Sequence, residues 1–78
     1  MGKKSLSDLS LDQARIYGLA FAILAIVETE LEIESLSGET IEGLRTGIET
    51  LEEIGDPLKE VPTMRKILNE AEEWMVSR

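Results

Sequence analysis

Cysteine and histidine are both missing from this 78-residue chain. Without cysteine there is no disulfide and no thiolate metal site, and the chain suits a reducing compartment. Without histidine it lacks the commonest metal ligand and the commonest general base near neutral pH. Aromatics are scarce: one Trp, one Tyr and one Phe. Basic residues are outnumbered, 8 Lys and Arg against 16 Asp and Glu, for a net charge of −8. Such a surface repels nucleic-acid phosphates, so direct nucleic-acid binding is not expected. There is no glycine-rich phosphate loop either. Gly43 and Gly47 fall inside an expected helix, where their four-residue spacing reads as a close helix–helix contact. No cofactor is called for.

Long apolar stretches are also lacking. The uncharged run Ile16–Val27 has 12 residues, short of the roughly 20 that span a bilayer. The start, Met1-Gly2-Lys3-Lys4, leads into polar Ser5–Asp8 and not into the apolar core and small-residue cleavage site of a secretory signal. A cytoplasmic protein without a membrane segment is the expectation. One domain of this size buries a small core and is marginal alone. With disulfides and thiolate metal sites excluded, association is the stabilising route left open.

What is present reads as three helices. Residues 1–9 form an expected flexible arm, and 10–78 a single all-α domain. Ser10 followed by Gln13 is a capping box, so helix 1 begins near Leu11. Val27–Glu34 alternates Val, Thr, Leu and Ile with glutamate, as a strand would. Ile23, Val27 and Leu31 also continue a helical stripe, and no second alternating run offers a partner. One helix over about 11–35 is favoured, with a short strand across a dimer as the alternative. Ser37 caps helix 2, expected over 38–54. Its apolar residues Ile41, Leu44, Ile48 and Leu51 make a narrow coiled-coil seam, and Gly55 is placed to end it in the left-handed conformation. Asp56-Pro57 restarts the chain. Val61 precedes Pro62, which disfavours a helical Val61, so helix 3 is expected over 62–76.

Helix 1 carries the strongest architectural signal. Its run is apolar on every side, and a helix of that kind must be covered on every side. Helices 2 and 3 each offer one stripe. A helix from 11 to 35 would reach ~37 Å, against a diameter of about 30 Å for a compact chain of this length. A second copy is the simplest cover. The expected interface is Ile16, Leu19, Ala22, Ile23, Ile26 and Val27. The small residues Gly18, Ala22 and Ala25 would allow close approach.

The charge is concentrated. Glu28 to Glu60 holds 11 acidic residues against Arg45 and Lys59, while the remainder of the chain is near neutral. Glu42, Glu49, Glu52, Glu53 and Asp56 are the expected acidic face. The bland reading is a solvated surface; the functional one is attraction of a basic protein partner, as by an inhibitor or nucleic-acid mimic. The same carboxylates could also gather Mg²⁺, which takes oxygen ligands. The string Leu51-Glu52-Glu53-Ile54-Gly55-Asp56 resembles the second metal-binding helix of MazG-like nucleotide pyrophosphatases. That resemblance implies an all-α oligomeric hydrolase with Glu49, Glu52, Glu53 and Asp56 as metal ligands. The sequence departs from the family pattern where Pro57 directly follows Asp56. It departs again where Glu30-Leu31-Glu32-Ile33-Glu34 lacks an adjacent acidic pair. Three functions follow, in order of preference: a non-enzymatic homo-oligomeric interaction protein, a Mg-dependent pyrophosphatase, and a purely structural or artificial helical assembly.

Overall fold

A computed structural model describes residues 8–77 and places them in three helices: α1 Leu11–Glu32, α2 Gly38–Glu53 and α3 Val61–Val76. The described residues are 79% helix, and no strand occurs among them. Val27–Glu32 is helical and Ile33–Glu34 a turn, so the strand alternative fails. No described helix is long and apolar enough to cross a membrane.

The capping box forms as its spacing predicts. The Gln13 N–H donates to Ser10 Oγ, and the Ser10 N–H donates to Gln13 Oε1, both at 3.2 Å. Such a cap contributes about 1 kcal/mol. Of the arm expected over 1–9, residues 1–7 lie outside the described residues. Leu9 is not loose: it is half-buried against the core.

α1 stops three residues before the expected Ser35. Ile33 is the C-cap, and Glu34 takes the left-handed conformation at φ 55°. The Ser35 N–H then bonds the Glu30 carbonyl at 2.9 Å and the Glu34 N–H the Leu31 carbonyl at 3.2 Å. This is the Schellman closure, here without its usual glycine. Two forces favour the early stop. The last turn carries no basic residue, so Glu28, Glu30, Glu32 and Glu34 repel one another and face the negative end of the dipole. Turning there also brings Leu36 into the core, where it is 8% exposed.

α2 follows the reading closely. Ser37 Oγ accepts the Thr40 N–H at 3.2 Å, and the four seam residues Ile41, Leu44, Ile48 and Leu51 are all buried. Gly55 at φ 84° ends the helix. The Asp56 N–H reaches the Leu51 carbonyl at 2.9 Å, a second Schellman closure. α3 begins at Val61, one residue earlier than the proline rule suggests. The Asp56 carboxylate accepts the Val61 N–H at 2.9 Å and the Glu60 N–H at 3.0 Å. It thereby caps the start of α3 in place of the Glu60 side chain, which makes no cap hydrogen bond. Those two bonds offset the steric cost of helical Val61 before Pro62.

The core sits where the three helices meet. Tyr17, Ala20 and Val27 of α1, the α2 seam, and Met64, Leu68 and Ala71 of α3 make up most of it. Gly43 and Gly47 face α1, as their spacing suggested. A Cβ on Gly47 would lie 3.6 Å from Ala20 Cβ, and one on Gly43 would lie 3.5 Å from Ile23 Cδ1. The molecule measures 41 × 21 × 19 Å.

Candidate interaction surfaces

Three surfaces emerge from this packing: an apolar stripe on α1, a groove between α1 and α2, and a carboxylate stripe on α2. A fourth feature, a buried polar junction, belongs to the scaffold.

The outward face of α1 keeps large aliphatic side chains in solvent. Leu19 is 71% exposed, Ile26 45% and Ile33 66%, with Leu11 at 67% near the start. Leu19, Ile26 and Ile33 are seven residues apart, a heptad spacing that aligns them on one side of the helix. Gly18, Ala22 and Ala25 lie beside them and are exposed. Nothing lies within 4 Å of a Cβ built on Gly18. Of the six expected interface residues, Leu19, Ala22 and Ile26 are on this face. Ile16 and Ile23 are half-buried toward α2. Val27 is fully buried in its own core and drops out of the expected interface. Ile33 and Leu11 are also exposed on this side, which sequence reasoning missed. A run apolar on all sides gives no phase, so it cannot say which side the domain covers.

Beside this stripe lies an apolar groove of about 220 Å³, walled by Ile16, Leu19 and Ile23 of α1 and by Thr46 and Thr50 of α2 over Gly43 and Gly47. It exists because the two glycines leave out side chains for which there is room.

The five expected acidic residues do not form one face. Glu42, Glu49 and Glu53 are exposed and, at steps of 7 and 4, share the outer side of α2. Glu52 turns toward α3, where Arg65 Nη2 bonds its Oε2 at 2.5 Å. Arg45 bonds Glu42 Oε2 at 2.5 Å and also reaches across to Glu72 of α3. The second link was invisible in the sequence, since Glu72 is 27 positions away. Exposed pairs of this kind contribute ~0–1 kcal/mol each. Asp56 turns inward, away from the other four, into the junction described next. Among the described residues no group of three or more carboxylates is gathered as a metal would need. Glu49 and Glu53 share the outer side of α2, while Glu52 turns to Arg65 and Asp56 to Tyr17.

The junction is the strongest polar feature of the molecule. Tyr17, 0% exposed, donates its hydroxyl to Asp56 Oδ1 at 2.5 Å. The Tyr17 hydroxyl oxygen itself accepts the buried Leu58 N–H at 2.9 Å. Asp56 in turn accepts the N–H groups of Glu60, the N-cap of α3, and of Val61, its first residue. One phenol and one carboxylate thus tie α1, the α2–α3 loop and the start of α3 together. Burial, helped by the hydrogen bond to Asp56, pushes the Tyr17 phenol from its usual 10 up to about 12. Burial also works to raise the Asp56 carboxyl. The Tyr17 hydroxyl and the Val61 and Glu60 N–H groups outweigh it and hold the carboxyl below its usual value. Three donors engage both oxygens of the carboxylate, so the junction serves to position elements.

No protein-family model, curated protein or solved structure matches this chain.

Proposed function

We propose that the protein is a small, non-enzymatic, cytoplasmic interaction protein that works as a homo-oligomer and binds a basic protein partner. The observation that carries this reading is the exposed stripe of Leu19, Ile26 and Ile33 on a helix whose opposite side is fully committed to the core. Monomeric proteins rarely leave a contiguous apolar patch of this kind in water. The self-association side of the reading rests on that stripe.

The partner side rests on charge. Glu42, Glu49 and Glu53 project from one side of α2, in a protein of net charge −8. A surface of that sign speeds encounter with a basic partner and discriminates against acidic ones. It suits an inhibitor that presents carboxylates where a nucleic acid would present phosphates. The pyrophosphatase alternative draws no support from the placement of Glu49, Glu52, Glu53 and Asp56.

Fluorescence anisotropy with a labelled Arg- and Lys-rich peptide tests the partner side. Binding should weaken steeply as salt rises, and the double variant Glu49→Lys, Glu53→Lys should weaken it at least tenfold. Binding unmoved by either change would remove the acidic stripe as the recognition surface.

A further inference from the structure

Resting on the homo-oligomer reading, we infer that the second copy lies antiparallel along the outward face of α1, about a two-fold axis passing near Ala22. Several independent features of the molecule converge on this arrangement. The first is shape. Pairing residues symmetrically about Ala22 sets each Leu19 against the other copy's Ala25, each Ile26 against its Gly18, and each Leu11 against its Ile33. Large side chains meet small ones along the middle of the helix, as interlocked helices require, and the large Leu11 and Ile33 close each end. Gly18 has open space around it, so nothing in its own chain accounts for a helix-weakening glycine there. A facing Ile26 does.

The second feature is charge. Around the first half of the α1 stripe lie Asp12 and the exposed Arg15; around the second half lie Glu28, Glu30 and Glu32, with Glu34 just past the helix end. A parallel pair would bring the glutamate-rich ends of the two copies together, which is repulsive. The antiparallel pair brings each Arg15 opposite Thr29, between Glu28 and Glu30 of its neighbour. It also sets the two helix dipoles head to tail.

The third is area. α1 is 22 residues long, about 33 Å, and some 10 Å wide. That face projects to about 330 Å², below the roughly 600 Å² per partner at the low end of specific interfaces, so the pair belongs to the small, concentration-dependent class. The isologous two-fold contact closes without leaving a further patch to propagate.

The chain has no cysteine, so single-cysteine variants report the geometry cleanly. A disulfide needs Cα atoms within about 4.4–6.8 Å. Antiparallel packing about Ala22 puts the two Ala22 residues side by side and the two Ile33 residues about 33 Å apart. Under mild oxidation Ala22→Cys should cross-link nearly completely and Ile33→Cys by less than a tenth as much, while an equimolar mixture of Leu11→Cys and Ile33→Cys should give the mixed dimer. All three positions are exposed, so the fold should tolerate them, and circular dichroism checks this. Spin labels at Ile33→Cys give a second measure: a distance above about 30 Å is expected. A dimer in which Ile33→Cys cross-links to itself, or labels there sit within 20 Å, overturns the antiparallel arrangement and leaves the homo-oligomer reading standing. A monomer at every concentration overturns both.

Discussion

Replacing Tyr17 with Phe isolates the junction that ties the three helices together. The ring stays, with its packing against Phe21 at a centroid distance of 5.8 Å, and only the hydroxyl goes. Two interactions then fail. The donated bond to the Asp56 carboxylate is lost, and hydrogen bonds to a charged group contribute about 1.5–3 kcal/mol each. The Leu58 N–H, buried with that hydroxyl as its acceptor, is left unsatisfied, which costs about 1–3 kcal/mol. Asp56 keeps its bonds to the Glu60 and Val61 N–H groups, so the loss is partial. A destabilisation of about 2–4 kcal/mol results. A chain of this length has only roughly 4–12 kcal/mol in total, so the midpoint should fall by about 10–30 °C. Urea and thermal unfolding followed by circular dichroism measure it. Variant and wild type must be compared at one protein concentration, because self-association adds concentration-dependent stability. A loss below about 0.5 kcal/mol would refute the assignment of the junction as the clasp of the fold.

Three further predictions use the same contacts. Because Tyr17 is the only tyrosine, absorbance at 295 nm titrates it alone. The midpoint should lie near 12 in the folded protein and near 10 in urea; a folded midpoint at 10 would contradict its burial. Since the folded value is the higher one, its contribution is complete below pH 10 and is lost as pH rises toward 12. Asp56→Asn should cost about 2 kcal/mol at pH 7, because an amide N–H₂ would meet the Val61 or Glu60 N–H head on. The Asp56 carboxyl is held low, so its contribution is present above the unfolded value of about 3.9 and fades as pH falls below it. The gap between wild type and Asp56→Asn should accordingly narrow below about pH 4; a gap independent of pH would count against the assigned charge. Gly47→Ala should raise stability by up to about 1 kcal/mol, since its Cβ meets Ala20 at an ordinary contact distance of 3.6 Å. Destabilisation instead would show the helices closer there than described.

Local chemistry made much of the fold readable. Ser10 with Gln13, Ser37 and Gly55 each act within one turn of the chain, and each does what its residue type and position suggest. The α2 seam was equally legible, because its apolar residues are few and strictly spaced. The end of α1 was not, since a glutamate at a left-handed position carries no local signal. Its cause lies in Leu36 reaching the core and in repulsion among neighbouring carboxylates. Asp56 was grouped with Glu49, Glu52 and Glu53 on spacing, but the chain turns at Gly55 and swings it toward Tyr17, 39 positions away. Among the apolar residues of α1, Val27 and Ile26 look alike in sequence. One is 0% and the other 45% exposed, because α2 and α3 cover one side only. The charged stripe of α2 was half legible: helical spacing aligned Glu42, Glu49 and Glu53, while the cross-helix pairs of Glu52 and Arg45 depend on α3.

Sedimentation equilibrium between about 1 and 100 µM tests the central claim most directly. An exposed, heptad-spaced Leu19, Ile26 and Ile33 predicts a species of twice the 8.7 kDa chain mass. Leu19→Glu should return it to a folded monomer, because the charge would be buried in the pair but solvated in the single copy. A wild-type chain that stays folded at 8.7 kDa across that range would contradict the account.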